Sequence, residues 1–110
     1  MINVTVTKDN LAITKIEVKG HSGYDEIGKD IVCSSVSTAL ILTINLLEKL
    51  NVKFSYQSDD KVPYISLNID GENSEDESNL IQTILCNLVD NLSQVEKQYK
   101  KYLKIYEIRR

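Results

Sequence analysis

The sequence predicts an α+β fold, a two-layer sandwich in which two helices cover a four-stranded, mainly antiparallel sheet. Two pairs of short segments alternate apolar and polar residues, as strands with one buried face do. Each pair is followed by a long apolar stripe at helical spacing, so the predicted element order is ββαββα. With 110 residues and 42% hydrophobic content, the chain fits a single domain over residues 1–110.

The first predicted hairpin lies at the N-terminus. Residues 2–7, INVTVT, alternate apolar and polar side chains, and KDN then supplies a turn. The next segment, LAITKIEVKG, changes its apolar phase between Ile13 and Ile16. Such a change predicts a β-bulge near Thr14 and Lys15.

The first predicted helix follows a glycine-rich segment. Its apolar positions recur at helical spacing, which predicts a largely buried helix. These positions are Ile31, Val32, Val36, Ala39, Leu40, Ile41, Thr43, Ile44, Leu47 and Leu50.

The second half of the chain repeats the pattern. VKFSYQ and YISLNID are predicted strands, and Pro63 between them indicates an edge or strand-entry position. Ser74 and Glu77 then have the spacing of a capping box, which predicts the start of a long helix. We expect its apolar stripe to run from Leu80 to Leu103, with the terminal lysines and arginines at the helix C-terminus.

The composition limits which binding partners and which cellular compartment we expect. A formal net charge of −3 and a pI near 5.1 argue against direct nucleic-acid binding, although the terminal lysines and tyrosines leave RNA contact as a minor alternative. We see neither a signal peptide nor a segment as apolar as a membrane span, and therefore expect a cytoplasmic protein with reduced thiols and no membrane partner. One histidine and two cysteines do not complete a zinc site, so no metal or cofactor is predicted.

The segment GHSGYDEIGKDIVC contains the chain's single histidine, His21, and one of its two cysteines, Cys33. If Asp30 caps the following helix, Cys33 lies near the helix N-terminus, where the dipole and a nearby imidazolium both favour a nucleophilic thiolate. Unpaired N–H groups at that helix end would also stabilise an oxyanion. The same spacing fits a purely structural histidine and cysteine, and Asp30 has the alternative role of orienting His21.

The loop residues of this segment suggest a mobile cover for a substrate. We expect Gly20, Ser22, Gly23 and Gly28 to belong to a substrate loop that opens and closes over a bound peptide. By contrast Cys86, next to the apolar stripe of the second helix, is predicted to be a packed thiol without a chemical role.

The residues GHSGYDEIGKDIVCSSVS resemble the signature of the ribosomal-processing cysteine protease (Prp) family. That signature reads G-H-x-G, four residues, G-x-D-x-V-C, two small residues, one further residue and serine. The matching positions are Gly20, His21, Gly23, Gly28, Asp30, Val32, Cys33 and Ser37. The family's length and its ββαββα order also agree with the pattern of the whole chain.

The resemblance implies a cysteine endopeptidase with Cys33 as nucleophile and His21 as general base. It further implies a homodimer whose substrate is the precursor of ribosomal large-subunit protein twenty-seven, from which an N-terminal extension is removed. The alternative hypothesis is a non-catalytic module that binds a peptide or the ribosome, which would need neither His21 nor Cys33.

Overall fold

The computed structural model describes residues 1–20, 27–59 and 64–110, with the backbone alone for 27–30. Its elements follow the predicted order and then add a fifth strand. They are β1 (Ile2–Asp9), β2 (Ala12–Lys19), α1 (Ile27–Lys49), β3 (Ser55–Asp59), β4 (Tyr64–Asn68), α2 (Glu75–Gln98) and β5 (Leu103–Arg109).

One sheet runs through the molecule in the order β3-β4-β2-β1-β5. The β1–β2, β2–β4 and β3–β4 pairs are antiparallel, whereas β5 pairs with β1 in parallel. The α+β class and the two helices were predicted correctly. The prediction of four strands was wrong, because the described sheet has five strands and mixed direction.

Strand β5 replaces the predicted last turns of the second helix. The helix ends at Gln98, and Tyr99 closes it by donating its N–H to the carbonyl of Val95. Leu103 is fully buried beside Ile2, its partner in the parallel pair. The spacing of Val95, Tyr99 and Leu103 suits a helix, but the alternating β-formers after residue 101 suit a strand, and pairing with β1 decides between the two.

The N-terminal hairpin carries the predicted bulge. Thr7 pairs with Lys15 and Lys8 with Ile13, so Thr14 has no strand partner in this register. Beyond the bulge, the side chain of Gln82 on α2 accepts a hydrogen bond from Ile13 N at 2.8 Å and donates one to Ile13 O at 2.9 Å. Gln82 thereby pairs with both backbone groups of Ile13, in a part of β2 that extends past the end of β4.

Helix α2 begins as predicted. The Ser74 hydroxyl accepts the Glu77 N–H at 3.1 Å, and the Glu77 carboxylate accepts the Ser74 N–H at 2.9 Å. The second of these bonds and the helix dipole both favour the carboxylate form, and the bond from the Ser74 backbone is the main cause of the lowered pKa of Glu77. The capping box therefore fixes where the second helix starts.

Helix α1 is less buried than predicted. Val32, Val36, Leu40, Ile44 and Leu47 are buried in the hydrophobic core, to which the sheet and α2 also contribute.

Three apolar residues predicted to be buried are exposed instead, because they lie on other faces of the helix: Ile31, Ile41 and Leu50. The segment Ile31–Lys49 is also long and apolar enough, by length and composition, to cross a membrane, contrary to the sequence expectation. In this fold one side of that segment packs in the core of the sandwich.

Candidate active site

Cys33 lies on α1, where the helix faces the sheet. Its side chain is half-buried and packs against the hydrophobic core. One wall of an open cavity of about 420 Å³ includes Cys33 together with Ser37 and Ile41, one and two helical turns further along α1. A thiol at this position is both supported by packing and reachable by a ligand in the cavity.

The cavity lies between α1 and the end of the sheet at which β2 ends and β4 begins. Its lining comes from α1 and from all strands described at that end except β5. The lining residues are Ile2, Val18, Gly20, Cys33, Val36, Ser37, Leu40, Ile41, Ser58, Tyr64 and Ile65. None of these described side chains is charged, so this part of the lining suits an uncharged and mainly apolar ligand surface.

Gly20 ends β2 and is required there by close packing. A Cβ atom at this position would lie 2.7 Å from the Cα of Ile2 and 3.1 Å from the carbonyl oxygen of Met1. Real Cβ atoms do not approach backbone so closely, so β1 and the end of β2 meet only because residue 20 is glycine. This observation gives Gly20 a structural requirement apart from the loop mobility predicted for it.

Several predicted site residues lie outside what the structure describes. His21, Ser22 and Gly23 belong to the segment 21–26, and the side chains of Gly28 and Asp30 are likewise outside the described part. Gly20, the residue before His21 in the sequence, lines the same cavity as Cys33.

The start of α1 differs from the prediction for Asp30. The helix begins at Ile27, so Asp30 is within the helix and is not its N-cap residue. A glycine in a first turn costs only about 1 kcal/mol, and Gly28 therefore does not stop the helix from starting earlier. Cys33 consequently lies about 9 Å along the axis from Ile27, beyond the turn whose N–H groups are unpaired. The geometry expected with Asp30 as the N-cap residue therefore does not apply to this helix, and activation of Cys33 by His21 stays a prediction.

Tyr64 is a cavity residue that the sequence did not single out. Its hydroxyl donates a hydrogen bond of 2.6 Å to Oε2 of Glu17, and Lys19 Nζ lies 5.6 Å from the centre of its ring. This hydrogen bond lowers the pKa of Glu17 and raises the pKa of Tyr64. The contact ties the first residue of β4 to β2 at the edge of the cavity.

The second cysteine is not packed as predicted. Cys86 is exposed on α2, because the buried stripe runs through Leu85, Leu88 and Leu92 and leaves position 86 on the outer side. Among the residues that the structure describes, no group of three or more histidine, cysteine or acidic side chains could hold a metal ion.

Comparison with known proteins now identifies the family. The family model of the cysteine protease Prp matches residues 1–104. The chain belongs to the Prp family of cysteine proteases. The resemblance of the His21–Cys33 segment to the family signature is thereby confirmed at the level of the family, and the chain is a cysteine protease.

Relatives and solved structures agree over almost the whole chain. The ribosomal processing cysteine protease Prp from two strains of Staphylococcus aureus is 25% identical over 107 residues, which are 96% of this chain and 97% of the relative. A crystal structure of SMU.848 from Streptococcus mutans has a TM-score of 0.89 at 22% identity and covers 100% of this chain and 96% of that one.

Two further structures of the S. aureus protease contain peptides. The complex with a substrate peptide has a TM-score of 0.84 at 22% identity, and the complex with a covalently linked product peptide has a TM-score of 0.81 at 25% identity. Each similarity covers 97% of this chain and 99% of the other. The sandwich described above is therefore the fold of the family.

Proposed function

We propose that this protein is an endopeptidase that cleaves peptide bonds with a dyad of Cys33 and His21. The observation that carries the proposal is the position of Cys33 in the wall of the 420 Å³ cavity, which Gly20, the residue directly before His21, also lines. A thiol in the cavity wall and a histidine next to Gly20 in the sequence are the nucleophile and the base that acyl transfer to sulfur needs.

The proposed chemistry follows from these two side chains. His21 takes the proton of the Cys33 thiol, and the thiolate attacks the carbonyl carbon of the scissile peptide bond. The tetrahedral intermediate expels the amine, which takes the proton from His21, and leaves an acyl-enzyme thioester. A water molecule then gives a proton to His21 and attacks the thioester. The carboxylic acid product departs, and the thiol is restored.

For Asp30 we propose that its carboxylate orients the imidazole ring of His21. Asp30 lies one helical turn before Cys33 on α1, so the two residues occupy neighbouring positions on the helix surface. A carboxylate that accepts the second N–H of the His21 ring would hold the imidazole in the tautomer that can receive the thiol proton. Replacement of Asp30 by Asn would then reduce turnover without removing it.

We propose the extended precursor of ribosomal large-subunit protein twenty-seven as the substrate, processed in the cytoplasm. The support is the family, because the S. aureus relatives carry the name of ribosomal processing proteases. The shape of the site is compatible with this choice, since an extended chain end can lie in an open cavity between a helix and a sheet end.

The experiment is incubation of the purified protein with the extended precursor, followed by intact-mass analysis. We expect one discrete N-terminal loss with the wild type and with Cys86→Ala, and none with Cys33→Ala. Cys86 is a matched control, because it is the chain's other thiol and lies on the exposed side of α2. If no sample is cut while all bind the precursor, the protein is a peptide-binding module and the dyad is wrong.

We also propose that the protein acts as a homodimer joined through the outer face of α1. Ile31, Leu42 and Leu46 are 44%, 65% and 43% exposed and form one stripe along that face. Beside the stripe, a groove of about 580 Å³ separates α1 from α2. It is lined by Ser34, Ser35, Thr38, Ala39, Leu42, Thr43, Asn87, Leu88, Asn91 and Val95.

This face suits a second copy of the chain better than a different partner. A projecting leucine and an adjoining groove on one surface are self-complementary, as a two-fold contact requires. The segment from Ile31 to Leu47 has no charged side chain that a charged partner could recognise.

Light scattering tests the proposed dimer. Wild type and Leu11→Glu, whose leucine is 83% exposed in the β1–β2 turn, should have the mass of a dimer. Leu42→Glu should have the mass of a monomer, because two carboxylates would be buried at the contact. A monomeric wild type at about 50 μM, or a dimeric Leu42→Glu variant, would exclude this face.

A further inference from the structure

The cavity extends along α1 well beyond the thiol. Cys33, Ser37 and Ile41 follow each other at four-residue intervals, and all three line it. Since an α-helix rises 1.5 Å per residue, the distance along the axis from Cys33 to Ile41 is about 12 Å. An extended chain advances about 3.3 Å per residue, so this length accommodates three to four residues.

The side chains that line the cavity near Cys33 differ from those that line it near Ile41. Near Cys33 the lining includes Gly20 and Ser37, whose small size allows a peptide backbone to approach α1. At the far end along α1 the lining includes Ile41, which is 55% exposed, and Leu40, which is buried; Ile65 of β4 lines the same cavity and is half-buried. The exposed part of the Ile41 side chain is apolar surface that a ligand in the cavity can still cover.

We propose that Ile41 and Ile65 form an apolar subsite for the side chain of the third or fourth residue from the scissile bond. The proposal rests on the proposed function, because it needs a peptide bond held at Cys33. A leucine, isoleucine or phenylalanine side chain would be removed from water at this subsite. A lysine or glutamate would lose hydration there without meeting an opposite charge in the described lining.

The expected ratio of cleavage rates follows from the burial of one apolar side chain at the subsite. In a hydrophobic pocket, one methylene more or less changes kcat/KM by about 10- to 200-fold. Because the cavity is open on one side, we expect the lower part of that range. Peptides with an apolar residue at the position should be cleaved at least about tenfold faster than peptides with a charged one.

A mixed peptide library, digested and analysed by mass spectrometry, gives the residue preference at each position from the cut. The wild type should favour apolar residues at the third or fourth position on one side of the scissile bond. Ile41→Glu should lose this preference and favour lysine or arginine there, and Ile41→Lys should favour aspartate or glutamate. Ile108→Glu is the matched control, because Ile108 is 46% exposed on β5, which does not line the cavity.

The outcomes separate the subsite from the catalytic proposal. If the wild type cuts the library and Ile41→Glu and Ile41→Lys keep the wild-type preferences at every position, the subsite is wrong and the endopeptidase remains. If the wild type cuts no peptide in the library and does not cut the precursor, the endopeptidase proposal fails, and the subsite fails with it. A change of preference in Ile108→Glu equal to that in Ile41→Glu would also overturn the subsite.

Discussion

Replacement of Gly20 by alanine tests how closely the end of β2 packs against the backbone of Met1 and Ile2. The added Cβ would lie 2.7 Å from Ile2 Cα, whereas ordinary contact begins near 3.4 Å. Both neighbouring atoms, Ile2 Cα and the Met1 carbonyl oxygen, belong to the backbone, so the strands must separate by about 0.7 Å to relieve the overlap. We expect a loss of about 1–3 kcal/mol in the free energy of unfolding.

The same displacement should lower activity beyond its effect on stability. Residue 20 lines the cavity and directly precedes His21 in the sequence, so in the proposed dyad a shift of the strand end would change the alignment of His21 with Cys33. Misplacement of catalytic groups by about 1 Å costs up to about 100-fold in rate, and we therefore expect kcat/KM to fall by about 10- to 100-fold. Urea unfolding measures the stability, and cleavage of a peptide from the precursor measures kcat/KM below the unfolding range.

Gly71→Ala is the matched control for this substitution. Gly71 has φ of +81°, and a Cβ there would lie 3.2 Å from Lys53 Cβ. Alanine in this conformation costs about 1–2 kcal/mol, similar to the expected effect at Gly20. Gly71 follows the end of β4 opposite to Tyr64, away from the cavity, so its variant should keep wild-type kcat/KM. Equal kcat/KM for the two glycine variants would refute the reasoning.

Three further predictions concern the scaffold. Gln82→Ala should lower the free energy of unfolding by about 2 kcal/mol in urea titrations, because both backbone groups of Ile13 lose their partner; a loss below about 0.5 kcal/mol would show that water replaces the side chain. Leu103→Ala should cost about 2–5 kcal/mol by the same measurement, because Leu103 is fully buried, and an effect of a surface residue's size would argue that β5 is not part of the core. The lowered pKa of Glu17 means that its carboxylate stabilises the fold above its ordinary pKa of 4.5 and that this contribution is lost as pH falls further. Melting temperatures of wild type and Glu17→Gln should therefore converge below about pH 4.5, and a constant difference from pH 7 to pH 3 would contradict the role of the Tyr64 contact.

Local rules predicted most of the scaffold. Alternation located four strands, the phase change between Ile13 and Ile16 located the bulge, and the Ser74–Glu77 spacing located the start of α2. Each of these signals depends on residues a few positions apart. The parallel pairing of β5 with β1 depends on residues about 100 positions apart, and the helical spacing through Leu103 concealed it.

Only part of the candidate site was predicted, because some of its residues lie far apart in the sequence. The family signature located Gly20 and Cys33, which the fold brings to one cavity. Tyr64, Ser58 and Ile65 were missed because their proximity depends on the register between β2, β4 and β3, which no local motif encodes. Asp30 was interpreted as an N-cap because Asp is a preferred residue at that position, whereas the helix already includes Ile27 and the residues up to Asp30.

The most direct test of the central claim is to trap the acyl-enzyme. The precursor is mixed with a slight excess of protein, the reaction is stopped with acid within its first turnover, and the protein is analysed by intact mass and tandem mass spectrometry. The account predicts a transient mass increase equal to the acyl fragment of the precursor, attached to Cys33 and absent from Cys33→Ala. An adduct on Cys86, or precursor cleavage that continues in Cys33→Ala, would contradict it.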